Sequence, residues 1–203
     1  MNRTKLVLFI AALACLPSMA RSQVAAQTAP PRAYVKIVGK LQGTFKGEAS
    51  RIAGNNYIAA LGFGYEVISP RDPATGQVTG KAQHKPITFT KALDATSPQI
   101  FQALINNEEL TQVTIEFMTA PASTAGVGAA GAGKELAYYT ITLTNASVSA
   151  IHQHMDQSEG TVAGSSTVPL DPMEDVSLTF EKIAVTSNVG QTTAMDSWNA
   201  VNK

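Results

Sequence analysis

The chain has 203 residues, 44% of them hydrophobic and 15% charged, with 15 basic and 15 acidic side chains. At roughly 150 residues per domain this is one domain with room for a tail, too apolar to stay disordered and long enough to bury a core. The zero formal charge argues against the basic surface that non-specific nucleic-acid binding needs. A single cysteine, Cys15, excludes an intrachain disulfide and a CxxC metal site.

The chain starts with Arg3 and Lys5, followed by the apolar run Leu6 to Ala14 and by Pro17, with Ser18-Met19-Ala20 offering small residues at a cleavage site. This is the three-part pattern of a secretory signal peptide over residues 1–20. The run is far short of the ~20 residues of a membrane span. A second cleavage site lies before Gln27. Leu13-Ala14-Cys15 has the outline of a lipid-modified cysteine, but Ala12 stands where that pattern prefers Leu, so lipid anchoring at Cys15 is the weaker reading. Residues 21–32 end in Pro30-Pro31-Arg32 and predict an exposed, extended linker.

From residue 33 to the end the pattern is β. Tyr34, Lys36 and Val38 alternate with Val35 and Ile37. Residues 57–69 are apolar and β-prone, with Gly62 and Gly64 marking a bend or bulge. Residues 70–84 predict a long polar loop, a length that in a compact domain is usually functional or interfacial. Ile87, Phe89 and Lys91 alternate with Thr88 and Thr90. One helix follows over about residues 97–107, with Ser97 as cap, Pro98 at its first position, and Ile100, Phe101, Leu104 and Ile105 as its apolar stripe. Val113, Ile115 and Phe117 form one strand face; Tyr139, Ile141 and Leu143 form another, opposite three threonines. Val176, Leu178 and Phe180 change phase to Ile183 and Val185, which predicts a bulge near Glu181-Lys182. The fold class is mainly β: an antiparallel β-barrel or sandwich with one flanking α-helix.

Chemistry has weak footing. Gly128 to Glu135 nearly matches a phosphate-binding loop, but Glu135 replaces the hydroxyl and a strand follows, so a flexible hairpin loop is expected. His152 and His154 share one strand face, and Asp156 extends the row. Such a trio offers metal ligands or acid–base groups, with His84 the one further histidine; two polar residues at a strand end are the plainer reading. No nucleophile elbow is present. No catalytic, metal or cofactor site is assigned, and the chain is not read as an enzyme.

Charge is uneven along the sequence. Arg32, Lys36, Lys40, Lys46 and Arg51 cluster early, and Asp156, Glu159, Asp171, Glu174, Asp175 and Glu181 cluster late. Solvated faces are the plain account; complementary faces between copies are the sharper one.

Residues 69–94 carry a resemblance. Ser69-Pro70-Arg71-Asp72-Pro73-Ala74-Thr75-Gly76-Gln77, Gly80 and the run His84-Lys85-Pro86-Ile87-Thr88-Phe89-Thr90-Lys91-Ala92-Leu93-Asp94 resemble the haemolysin-coregulated protein (Hcp) family, the tube protein of type VI secretion. Ser97-Pro98, Tyr139 to Ala146 and Asp196-Ser197-Trp198 agree with it, so that it spans about residues 33–200. The resemblance implies a β-barrel assembled as a homohexameric ring. Such rings stack head to tail into a tube that is expelled, sometimes with effector proteins in the lumen. It implies partners among copies of itself and other secretion-machine components, and a secreted location. Pro70, Arg71, Asp72, His84, Lys85 and Pro86 become candidate subunit-interface residues. The start departs from the family, whose subunits normally carry no Sec signal. Three readings stay open: a Sec-exported binding or carrier module in the periplasm or outside, a true start at Met19, or inefficient export.

Overall fold

The computed structural model describes residues 33–51, 54–119, 136–155 and 172–197. Strand β1 (Ala33–Gly39) turns Val35 and Ile37 into the interior, as its alternation predicts. The short β2 (Gly43–Thr44) folds back on it. β3 (Ala49–Arg51) and β4 (Gly54–Ala60) follow, then β5 (Gly62–Gly64) after a break at Leu61. β6 (Val67–Ile68) pairs with β7 (Gln83–His84), and β8 (Ile87–Ala92) leads to α1 (Ser97–Ile105). The chain ends in β9 (Leu110–Met118), the long β10 (Ala137–His154) and β11 (Met173–Ser187), and β12 (Thr192–Ser197).

The main sheet is antiparallel, in the order β3-β4-β1-β9-β10-β11-β8-β5, with β12 added to β11 and β2 to β1. β4 pairs with β1 and β5 pairs with β8. Leu61, between them, donates its N–H to Thr90 O at 2.8 Å. The two flanks of the ladder are thus consecutive strands of one bent segment, as Gly62 and Gly64 predict, and the sheet wraps over a main core, with Tyr34, Tyr57 and Met118 forming a second, small cluster. Val35, Ile37, Ile58, Ile87, Phe89, Val113, Ile115, Ile141, Leu143, Val176 and Leu178 fill that core, and α1 adds Ile100 and Ala103. Among the described residues no helix is long and apolar enough to cross a membrane.

The helix is where predicted, but its ends and stripe differ from expectation. Thr96, not Ser97, holds the N-cap position, with no side-chain cap bond. Ser97 is buried instead. Its Oγ donates to Glu174 Oε1 at 2.7 Å and accepts from Lys91 Nζ at 3.0 Å. Lys91 Nζ lies 2.8 Å from Glu174 Oε1, and both side chains are buried. A hydroxyl in reach of a buried ion pair is worth more there than at a helix start, since unpaired buried charge is costly. Of the stripe, Ile100 is buried and Leu104 half-buried, but Phe101 and Ile105 are exposed. The short helix turns Ile100 and Ala103 inward, and a residue one position further round faces out. It closes on Asn107 at φ 48, with Asn107 N–H on Leu104 O and Glu108 N–H on Ala103 O.

The phase change in β11 is present, but without a register shift there. Phe180 and Ile183 are buried on either side of exposed Glu181 and Lys182. Opposite them β10 changes phase too, from Leu143 to Ala146, around Asn145 at φ 51. Both strands turn together, so pairing holds from Lys182↔Thr144 to Phe180↔Ala146. The ladder's actual irregularity lies between Val148 and Ala150.

Candidate functional site

The polar stretch after β6 is paired rather than irregular. Lys85 N–H donates to Glu66 O at 3.0 Å, β6 pairs with β7, and Arg71 bridges Val78 further out. Thr79 N–H reaches Pro70 O and Asp72 N–H reaches Gln77 O. Residues 66–85 therefore form an exposed hairpin arm whose tip is Pro73 to Gly76. The Asp72 carboxylate makes the tip by accepting the N–H groups of Ala74 and Thr75 at 2.8 Å and the Thr75 hydroxyl at 3.1 Å. Those bonds, first the Thr75 N–H and then the Ala74 N–H, hold its carboxyl below the ordinary value. Gly76, at φ 71, supplies the left-handed residue that ends the turn, and Arg71 Nη1 donates to its carbonyl.

The six candidate residues fall into two groups. Pro70, Arg71 and Asp72 lie on the outgoing limb; His84, Lys85 and Pro86 lie at the base of the returning limb. Lys85 and Pro86 are exposed and line a small cleft with His84, Thr179 and Phe180. The His84 ring is nearly covered. Its Nδ1 lies 2.6 Å from the Tyr65 hydroxyl and its Nε2 lies 2.9 Å from Asp196 Oδ2. The ring stacks on Tyr65 and meets Phe180 edge-on. His84 thus fastens the arm to β12. Burial, then the charge of Asp196, pushes the Tyr65 hydroxyl up, while the His84 bond holds the Asp196 carboxyl down. Sequence reasoning gave Tyr65 and Asp196 no role, and no local spacing links them to His84.

Part of the uneven charge is taken up within the subunit. Lys40 pairs with Glu109 at 2.8 Å, and Lys36 sits over the Tyr57 ring. Glu174 is spent on Lys91. Asp156, Glu159 and Asp171 lie outside the described residues, as do Gly128 to Glu135, residues 1–20 and the 21–32 linker. A further exposed feature is apolar: Leu93, Pro98 and Phe101 line a shallow pocket with Asp94, Ser97 and Gln153.

His152 and His154 share one face, as predicted, and their rings stack at 5.2 Å. The carboxylate beside them is Asp175, brought across from β11. His84 does not join them: its partner Asp196 is opposite Ile183, whereas His152 is opposite Asp175.

Comparison with known proteins agrees with the sequence and the fold. The family model described as type VI secretion system effector, Hcp, matches residues 34–186. The chain is 34% identical to the major exported protein of Pseudomonas aeruginosa over 177 residues, 83% of this chain and 95% of that one. The crystal structure of an Hcp protein superimposes with a TM-score of 0.67 at 23% identity, over 82% of this chain and 98% of that one. The secreted protein Hcp3 of Pseudomonas aeruginosa gives a TM-score of 0.60 at 28% identity, over 82% and 99%. The chain belongs to the Hcp family of type VI secretion system proteins.

Proposed function

We propose that the protein is a structural, non-catalytic subunit that assembles as a homohexameric ring, and that the rings stack head to tail into a tube. The family match across residues 34–186 is the observation that carries this reading. The protein is exported, the word that the name of the Pseudomonas aeruginosa relative uses of that protein; it leaves as the tube, whose lumen holds effector proteins. The order of the chain is a signal peptide over 1–20, an exposed linker over 21–32 and the Hcp domain over 33–203.

The arm supports a contact role for Pro70, Arg71, Asp72, His84, Lys85 and Pro86. Its limbs are hydrogen-bonded and its base is fastened through His84, so it is preorganised and loses little entropy on docking. Its exposed Val67 and Val78 give it apolar surface to bury. Arg71 and Lys85 take part in ring or stacking contacts, while Asp72 and His84 act by shaping and holding the arm. Phe101 and Ile105 add apolar surface for a neighbouring subunit.

The test is release from native cells, with the mature N-terminal residue determined. Appearance outside only when the type VI machine works supports the tube. A start at Arg21 or Gln27 shows that the signal peptide is removed; release to the periplasm or medium that does not depend on the machine contradicts the tube and leaves a Sec-exported module.

A further inference from the structure

We infer that His152, His154 and Asp175 form a binding site for a divalent transition-metal ion of the zinc class. The site is built by the ladder. His152 and Asp175 are direct cross-strand partners, and His154 is the next residue of β10 on the same face, so all three side chains leave one face of the sheet.

The three ligand atoms lie within 4.8 Å of one another. His152 Nδ1 is 3.8 Å and His154 Nδ1 3.9 Å from the same Asp175 Oδ2. Both separations are too long for a hydrogen bond. Tetrahedral zinc, with bonds of about 2.1 Å, sets ligand atoms about 3.4 Å apart. Closing the trio onto an ion therefore takes only small side-chain rotations. The imidazoles are already near-parallel, at 17°. Two imidazoles and one carboxylate are a donor set that suits Zn²⁺, and three protein ligands leave a fourth position for water or a second molecule.

The surrounding groups fit a ligand role. Thr90 Oγ1 donates to Asp175 Oδ1 at 2.5 Å, which orients the carboxylate and leaves Oδ2 towards the histidines. Gln153, between the two histidines, turns to the opposite face and donates to Glu174 Oε2. His154 pairs with Met173 at the last rung of the β10–β11 ladder, so a bound ion clamps the end of the longest hairpin.

The experiment is calorimetric titration of the full chain, purified without a histidine tag, with Zn²⁺ alone. One ion per subunit is expected, along with a higher Tm and slower amide exchange at residues 151–154 and 173–176. His152→Ala removes an exposed side chain and leaves the fold intact; it should weaken binding by at least about tenfold, as should Asp175→Asn. Binding that these variants do not weaken, or no binding by the folded chain, would overturn the assignment.

Discussion

His84 and Asp196 meet across 112 residues of chain, Nε2 to Oδ2 at 2.9 Å, and this bond fastens the base of the hairpin arm to β12. Asp196 is half exposed, so the pair adds little to global stability. Its consequence is local. In Asp196→Asn, amide exchange across Gln83 to Lys85 should quicken while Tm moves only slightly. The folded Asp196 carboxyl is held low, first by His84, so the stabilisation is complete above the ordinary aspartate range of about 4. It is lost as pH falls through the folded value. The protection factor of the arm amides, the intrinsic exchange rate at each pH divided out, should fall in the wild type as pH drops from 6 to 3 and stay nearly flat in Asp196→Asn.

The Lys91–Glu174 pair predicts an asymmetric mutation series. Glu174→Ala leaves the buried Lys91 ammonium with Asp94 Oδ1, 2.7 Å away, as its remaining carboxylate and takes the acceptor from the buried Ser97 hydroxyl, and should cost about 1–3 kcal/mol in denaturant unfolding. Lys91→Met combined with Glu174→Leu removes both charges and leaves Asp94 its bonds from Thr96 alone, and should recover part of that loss.

Gly39 has no room for a side chain. A Cβ there would lie 2.4 Å from Glu108 Oε1 and 3.0 Å from the Phe45 ring. Glu108 cannot withdraw without cost, because its Oε1 accepts the N–H groups of Leu41 and Gln42 at 2.8 and 2.9 Å. Burial pushes the Glu108 carboxyl up, but those bonds and the Gln42 side chain outweigh it and hold it below its ordinary value. Gly39→Ala should cost about 1–3 kcal/mol by thermal unfolding. Both Gly39→Ala and Glu108→Gln should blunt the loss of stability on acidification that the depressed carboxyl gives the wild type.

Assembly should depend on salt and on the arm. Exposed complementary charges are screened between ~0.05 and ~0.5 M salt, so ring stacking should weaken over that range in sedimentation. Salt-independent stacking removes the electrostatic part of the account. Arg71→Glu with Lys85→Glu should raise the concentration needed for assembly by about tenfold or more, with circular dichroism of the subunit unchanged.

The strands and helix were legible because one face of each is buried, so the period of two or of 3.6 survives in the residues. Even Lys91 falls on the inward face by alternation with Ile87 and Phe89, although its partner does not show. Glu174 reads as one more acid of a solvated run, since only the β8–β11 register brings it to Lys91. The same limit applies at both histidine sites. His152 and His154 share a face by local spacing, but Asp175 reaches them only through the β10–β11 ladder. His84 stands out in its motif, but Tyr65 and Asp196 become its partners through tertiary structure alone. Ser97 reads as a helix cap because nothing local announces the buried charges that claim its hydroxyl.

The most direct measurement is the native mass of the purified folded chain by light scattering. The account predicts a ring of six times the subunit mass, which falls apart on arm mutation. A monomer at all concentrations, with the subunit folded, would contradict it.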